Sequence, residues 1–366
     1  MITLSVCLIV KNEEKVLAEC LSCVKPFADE IIIVDTGSVD KTIEVAKNFT
    51  NKIFKFEWID DFSAARNFSF SKATCDYIMW LDADDIILQE DISAIQKLKK
   101  DLNPIFDMVV MKYVSGIDVN GKETFYYYRE RIVKKSANFK WQGFVHETIP
   151  LSPKLLRTEI RIIHNKKYEE MQSKRNLLIY ENALKKNIEF TNRDYYYYAR
   201  ELYYHGKYKK AIKYLKFFIK NEQFNMSDIF EAHLIISQCY HFLKNFDMAL
   251  KFLIDTFKKF IPNAKLLCKI GDVFFEKQDY LKAIFWYETA INNANKNEAV
   301  FIEKDFGNII PFLQLCVCYY QIDNIEKAIY YNNKAKEVEP NNKSVQFNNK
   351  FFTKIISKNN FHLQDN

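Results

Sequence analysis

A chain of 366 residues, 48% hydrophobic and 27% charged, is long enough for two domains with separate cores and too apolar to be disordered. Its formal net charge of +6 is modest and its lysines are scattered with no dense basic block, which argues against nucleic-acid binding and leaves a mild attraction for anionic substrates. No apolar run approaches the roughly 20 residues of a spanning helix. The amino terminus lacks a basic leader, and the eight cysteines sit in apolar settings without matched ligand pairs, so a cytoplasmic protein with buried thiols is expected.

Residues 2–10 read as an apolar strand, 13–25 as an amphipathic helix and 30–34 as a second buried strand ending at Asp35. A helix over 41–48, a short strand over 53–58, a helix over 64–72 and the strand Tyr77-Ile78-Met79-Trp80-Leu81 follow. Such alternation predicts an α/β domain with a doubly wound, mostly parallel sheet. The run Ile31-Ile32-Ile33-Val34 shows no polar alternation, as a strand buried on both faces requires. Over 105–165 the pattern turns to strand-like alternation, with an Asn120-Gly121 hairpin signal between two strands.

From about residue 170 the pattern is helical. A short motif recurs around Ala211, Ala249, Ala283 and Ala328, at intervals of 38, 34 and 45 residues (249 − 211, 283 − 249, 328 − 283). Helical hairpins of this period with a small residue at the crossing resemble tetratricopeptide repeats. The expected architecture is an α/β domain over 1–170 and an all-α repeat domain over 171–366. The repeats serve either to stabilise the first domain or as a concave surface for a peptide, a protein or a second copy of the chain in a homodimer.

The most informative segment is Trp80-Leu81-Asp82-Ala83-Asp84-Asp85. Carboxylates at the carboxyl end of a buried strand are not core packing, because an unpaired buried charge costs several kcal/mol or more. They sit where an open α/β sheet binds ligands. Two oxygen-bearing side chains one residue apart suit a hard divalent cation, Mg²⁺ or Mn²⁺, and so a phosphorylated substrate. A solvated acidic loop is the alternative.

Four features in order, Val10-Lys11-Asn12-Glu13-Glu14, Val34-Asp35-Thr36-Gly37-Ser38-Val39-Asp40, Phe62-Ser63-Ala64-Ala65-Arg66-Asn67 and Leu81-Asp82-Ala83-Asp84, together resemble the inverting family 2 glycosyltransferases of GT-A fold over roughly residues 1–170. The resemblance implies that Val10, Asn12, Glu13 and Asp35 hold a uridine, carboxylates accepting from ribose hydroxyls and uracil N3–H. For Asp35 a helix cap is the alternative. Arg66 matches the family arginine near base or phosphates, with a surface ion pair as its alternative.

Asp84 matches the direct metal ligand, and Asp82 a residue that touches ribose, metal or metal-bound water. Asp85 reads as a turn residue. Farther on, Trp141-Gln142-Gly143-Phe144-Val145-His146-Glu147 resembles an element of family members that carry helical repeats, with Glu147 at the general-base position. A structural ion pair at 146–147 is the alternative. His164 matches the late histidine of the metal shell, or is a satisfied core histidine. The chain has Lys167 where the family has Gly before Tyr168.

Catalytic domain and repeats together resemble the sublancin-type S-glycosyltransferases of bacteriocin peptides. The function this implies is metal-dependent, inverting transfer from a nucleotide-sugar donor, UDP-hexose foremost, to a Cys, Ser or Thr side chain of a peptide or protein. A polysaccharide or lipid-linked acceptor is one rival, and a non-enzymatic repeat scaffold with a relic transferase domain is another.

Overall fold

The computed structural model describes residues 1–117, 123–165, 174–220, 226–293 and 304–362. The expected Asn120-Gly121 turn and the Lys167-Tyr168 departure lie outside the described residues. The chain divides into two compact units, Met1–Tyr197 and Tyr198–Asn366; the first therefore extends beyond residue 170.

In the first unit the chain runs β1 (Leu4–Val10), α1 (Leu17–Val24), β2 (Glu30–Asp35), α2 (Thr42–Lys47), β3 (Ile53–Lys55), α3 (Phe62–Lys72), β4 (Tyr77–Leu81), β5 (Asp85–Ile86), α4 (Gln89–Asp101), β6 (Met108–Ile117), β7 (Glu123–Lys134), β8 (Leu155–His164), α5 (Arg175–Lys185) and α6 (Asn192–Tyr204). The strands form one eight-stranded mixed sheet in the order β3-β2-β1-β4-β7-β6-β8-β5. Strands β1 to β4 are parallel, and β7 joins β4 antiparallel. β3 is shorter than the expected 53–58, and α1 begins four residues late because the 11–16 stretch is a loop.

Both faces of the sheet are covered, as the unbroken apolar strands require. Leu4, Val6, Leu8 and Val10 point into one core with α1 and α4, while Cys7, Ile32, Val34, Ile78 and Trp80 point into another. β1 lies between β2 and β4, so strand order reverses at β1 and the carboxyl ends of all three open on one side. That reversal opens the crevice in which open α/β sheets bind ligands.

The second unit continues from the last turns of α6 through α7 (Tyr208–Lys220), α8 (Met226–Phe242), α9 (Phe246–Asp255), α10 (Ala264–Glu276), α11 (Tyr280–Asn293), α12 (Ile309–Gln321), α13 (Ile325–Val338) and α14 (Lys343–His362). The four repeat alanines are fully buried, at the crossings where the sequence puts a small residue. Lys244, Gln278 and Asp323 each adopt a left-handed backbone just before a helix, with φ of 58°, 60° and 60°. Asn245 and Asn324 then cap α9 and α13 through Met248 N and Lys327 N. Gly271 of α10 lies directly against Tyr287 of α11, and a Cβ there would stand 2.6 Å from the Tyr287 ring.

Candidate active site

The acidic turn after β4 folds on itself. Asp85 N donates to Asp82 O at 3.1 Å, and Asp82 N donates to Asp85 Oδ2 at 3.0 Å. Two-residue β5 pairs antiparallel with the end of β8, which sets His164 opposite Asp85. Asn165 N donates to Asp84 O at 3.0 Å and closes the corner. Asp84, Asp85 and His164 thereby bring three ligand atoms within 4.8 Å of one another. His164 Nδ1 lies 3.4 Å from Asp84 Oδ2 and 3.8 Å from Asp85 Oδ1.

Two observations test whether a divalent cation fits here. Asp85 Oδ1 and His164 Nδ1 are buried without a hydrogen-bond partner among the described residues, and buried polar atoms are rarely left so. The donor set is two carboxylates and one imidazole, suited to Mn²⁺ and Mg²⁺. The Asp84 and Asp85 carboxylates facing His164 move its pKa up to about 10 against the opposing effect of burial. The residues fit the cation.

Asp82, expected at ribose, metal or metal-bound water, lies outside the three-ligand cluster and pairs with Arg66. Its Oδ1 accepts from Arg66 Nη2 at 2.7 Å, while Arg66 Nε donates to Glu147 Oε1 at 2.6 Å. Burial would raise the Asp82 pKa, but the Arg66 and Arg131 guanidinium groups reverse that and hold it low. Arg66 is buried, and its guanidinium carbon stands 4.8 Å from the Trp80 ring centre and 4.9 Å from that of Trp141. These indoles meet edge to face at 4.9 Å. Helix α3, capped by Asp61 through Ala64 N, carries Arg66 into this slot. Arg66 thus joins carboxylates 16 and 81 residues away, and it is no surface ion pair.

The segment bearing Glu147 is fastened to α3 at Trp141, Gly143 and Phe144. Asn67 Nδ2 donates to Trp141 O at 3.1 Å, Trp141 N donates to Asn67 Oδ1 at 2.9 Å, and Phe62 N donates to Phe144 O at 2.9 Å. Ser63 Oγ donates to Gly143 O. Gly143 takes φ of 97°, a backbone that favours glycine.

At the carboxyl ends of β1 and β2, Val10 is in register with Asp35. Asn12 has φ of 59°, and its Oδ1 accepts from Val39 N at 2.9 Å. Asn12 N donates to Ser38 Oγ at 3.0 Å and Glu13 N to Thr42 Oγ1 at 2.7 Å. Asp35 is 5% exposed and its Oδ1 accepts from Ser38 N at 3.0 Å. It therefore braces the turn, whereas Asp40 Oδ1 accepts from Thr42 N, the first residue of α2, at 3.0 Å. Val10, Asn12, Glu13 and Asp35 stand together as one braced pair of loops beside the strand that leads to the Asp82 turn.

Two residues of this site were not anticipated. Asp85 is the most buried member of the acidic turn and belongs to the ligand cluster. Arg131, also fully buried, donates from Nη1 to Asp85 Oδ2 at 3.0 Å and stacks 3.8 Å from the Trp80 ring centre. Asp85 Oδ2 is thus occupied, and Oδ1 is left for the cluster. The alternation Tyr127, Arg129, Arg131 on β7 was the available signal, although a register shift at Arg131 interrupts the period-two spacing there.

Residues 5–160 match the family described as Glycosyl transferase family 2, and residues 265–358 match the Prolyl 4-hydroxylase peptide-substrate-binding domain. Among curated proteins, the SPbeta prophage-derived glycosyltransferase SunS of Bacillus subtilis is 31% identical over 61% of this chain and 55% of its own length. A TPR repeat-containing protein of Synechococcus elongatus is 44% identical over 25% of this chain and 22% of its own length. The chain thus spans about half or less of each of these two relatives. A solved structure of MamA protein aligns with 45% of this chain and 81% of its own at 21% identity and a TM-score of 0.36. An eight-stranded mixed sheet with an acidic turn after its fourth strand, the family match over the same residues, and the helical repeats behind them agree: the chain carries a family 2 glycosyltransferase domain followed by tetratricopeptide-like repeats.

Proposed function

We propose that this protein is an inverting glycosyltransferase that moves a hexose from a UDP-linked donor to a Cys, Ser or Thr side chain of a peptide or protein, with a divalent cation at Asp84, Asp85 and His164. The observation that carries this reading is the pairing of that three-ligand cluster with Glu147, tied through Arg66 to the same acidic turn. The braced loops around Asn12, Glu13 and Asp35 are the nucleoside side of the site. Likeness of residues 265–358 to a peptide-substrate-binding domain supports a peptide acceptor over a polysaccharide or lipid-linked one.

The chemistry follows from the residues. A bound divalent cation supplies Lewis-acid neutralisation of charge on the departing nucleoside diphosphate. Arg66 takes one oxygen of Glu147 and fixes the plane of the carboxylate, leaving the other oxygen for the acceptor proton. As Glu147 accepts that proton, the acceptor lone pair attacks the anomeric carbon opposite the leaving group, and the electrons of the C–O bond depart with the diphosphate. One displacement inverts the anomeric configuration. A thiol acceptor, which ionises more readily than a hydroxyl, asks less of Glu147.

The test is a screen of the purified chain against UDP-, GDP- and TDP-sugars, with Mn²⁺ and with EDTA, read by thermal shift and nucleotide release. Mn²⁺-dependent stabilisation with slow UDP release from one sugar is the expected result. No shift with any nucleotide would refute the enzymatic reading and leave the repeats as the functional part.

A further inference from the structure

Successive carbonyls of the segment that ends in Glu147 are pinned from different elements. Helix α3 holds Trp141, Gly143 and Phe144. The last two before Glu147 are held by helices that lie beyond the residues matched to the family, 5–160. From α5, the fully buried Tyr180 donates its Oη to Val145 O at 3.3 Å. From the start of α6, Arg193 donates to His146 O through Nε at 3.2 Å and Nη2 at 3.0 Å.

His146 is the strained point of the segment, with φ of 54°. A non-glycine residue in that region persists only where its surroundings over-determine it. Here the imidazole stacks on the Tyr197 ring at 4.2 Å and 22°, and the Arg193 guanidinium lies 4.7 Å from the same ring centre. Arg193 Nη2 also donates to Tyr197 Oη at 3.3 Å. One arginine therefore grips both the His146 carbonyl and the ring under its side chain.

We infer that α5 and the first turns of α6 form a clamp that positions Glu147, with Arg193 and Tyr197 holding His146 left-handed and Tyr180 fixing Val145. Arg193 and Tyr197 are positioning residues that act through the backbone before Glu147. This inference rests on the reading of Glu147 as the base. It makes the transferase site dependent on residues outside the family core.

The test uses the full chain and its Arg193→Ala, Tyr197→Leu, Tyr197→Phe and Glu147→Gln variants. Hydrogen exchange is followed in peptides covering 142–148, UDP affinity by calorimetry, and UDP release from UDP-glucose with Mn²⁺ and water as acceptor. Arg193→Ala and Tyr197→Leu should speed exchange in 142–148 and slow UDP release about 10- to 100-fold, the usual effect of misplacing a reacting group by about 1 Å. UDP affinity should hold, and Tyr197→Phe, which keeps the stacked ring but loses the hydrogen bond from Arg193, should fall between wild type and Tyr197→Leu in both exchange and turnover. Unchanged exchange in both disruptive variants overturns the clamp. Loss of UDP affinity in step with turnover also overturns it, since the helices would then support the whole fold. Undiminished UDP release by Glu147→Gln overturns the base reading instead, and the exchange data still judge the clamp.

Discussion

Replacing Arg66 by Met keeps most of the side-chain volume and removes the charge that two carboxylates share. Glu147, only 11% exposed in its side chain, would be left as an uncompensated buried anion, a change that typically costs about 3–5 kcal/mol. Asp82 is 36% exposed in its side chain and can be rehydrated, so its share is at most about 1 kcal/mol. Two cation–π contacts in a desolvated slot add about 1–2 kcal/mol, partly recovered by the apolar Met. The expected net loss is about 4–7 kcal/mol. At about 2–4 °C per kcal/mol, the unfolding midpoint of the transferase unit falls by roughly 8–28 °C. The Glu147→Gln background removes the stranded charge, so Arg66→Met should cost about 2 kcal/mol less there, a coupling read by a double-mutant cycle in thermal or urea unfolding. A loss under about 1 kcal/mol, or additivity of the two substitutions, would refute the claim that the Arg66–Glu147 pair is a buried, mutually dependent unit.

Asp84→Ala and Glu147→Gln should each abolish transfer while far-ultraviolet circular dichroism stays that of the wild type; near-wild-type turnover in either removes that residue from its role. Mn²⁺ should raise the wild-type melting temperature in a concentration-dependent way, and Asp85→Asn, which keeps the hydrogen bonds at the turn but weakens the ligand set, should lose most of that response. Burial alone would raise the pKa of Glu30, but its hydrogen bonds from Lys52, Ser5 and Thr74 bring it from 4.5 down to about 2. Because the folded value is the lower one, this contribution is complete above about pH 4.5, amounts to at most about 3 kcal/mol, and disappears as pH falls through about 2. The stability gap between wild type and Glu30→Gln should therefore close over that window in urea titrations, and a gap independent of pH would contradict it. In the repeats, Gly271→Ala gains about 1 kcal/mol of helix propensity. It also drives a methyl against three carbons of the Tyr287 ring at 2.6 to 2.9 Å, an overpacking cost of about 1–3 kcal/mol, so calorimetry should show net destabilisation.

Features that depend on neighbours along the chain were legible from the residues alone. Buried strands announced themselves by unbroken apolar runs, the repeats by recurring alanines, and the ligand edge of the sheet by carboxylates placed just after Leu81. These signals are local because strand and helix periods recur every few residues. The partnership of Arg66 with Glu147, 81 residues apart, was set only by α3 packing beside the 141–147 segment. Asp82, Asp84 and Asp85 look alike as sequence, and the turn decided among them. Pairing of β5 with β8 brought His164 to Asp84 and Asp85, while Asp82 paired with Arg66. A carboxylate's role follows from which cation, amide or ligand atom faces it, and those partners arrive from distant strands and helices only when the sheet closes.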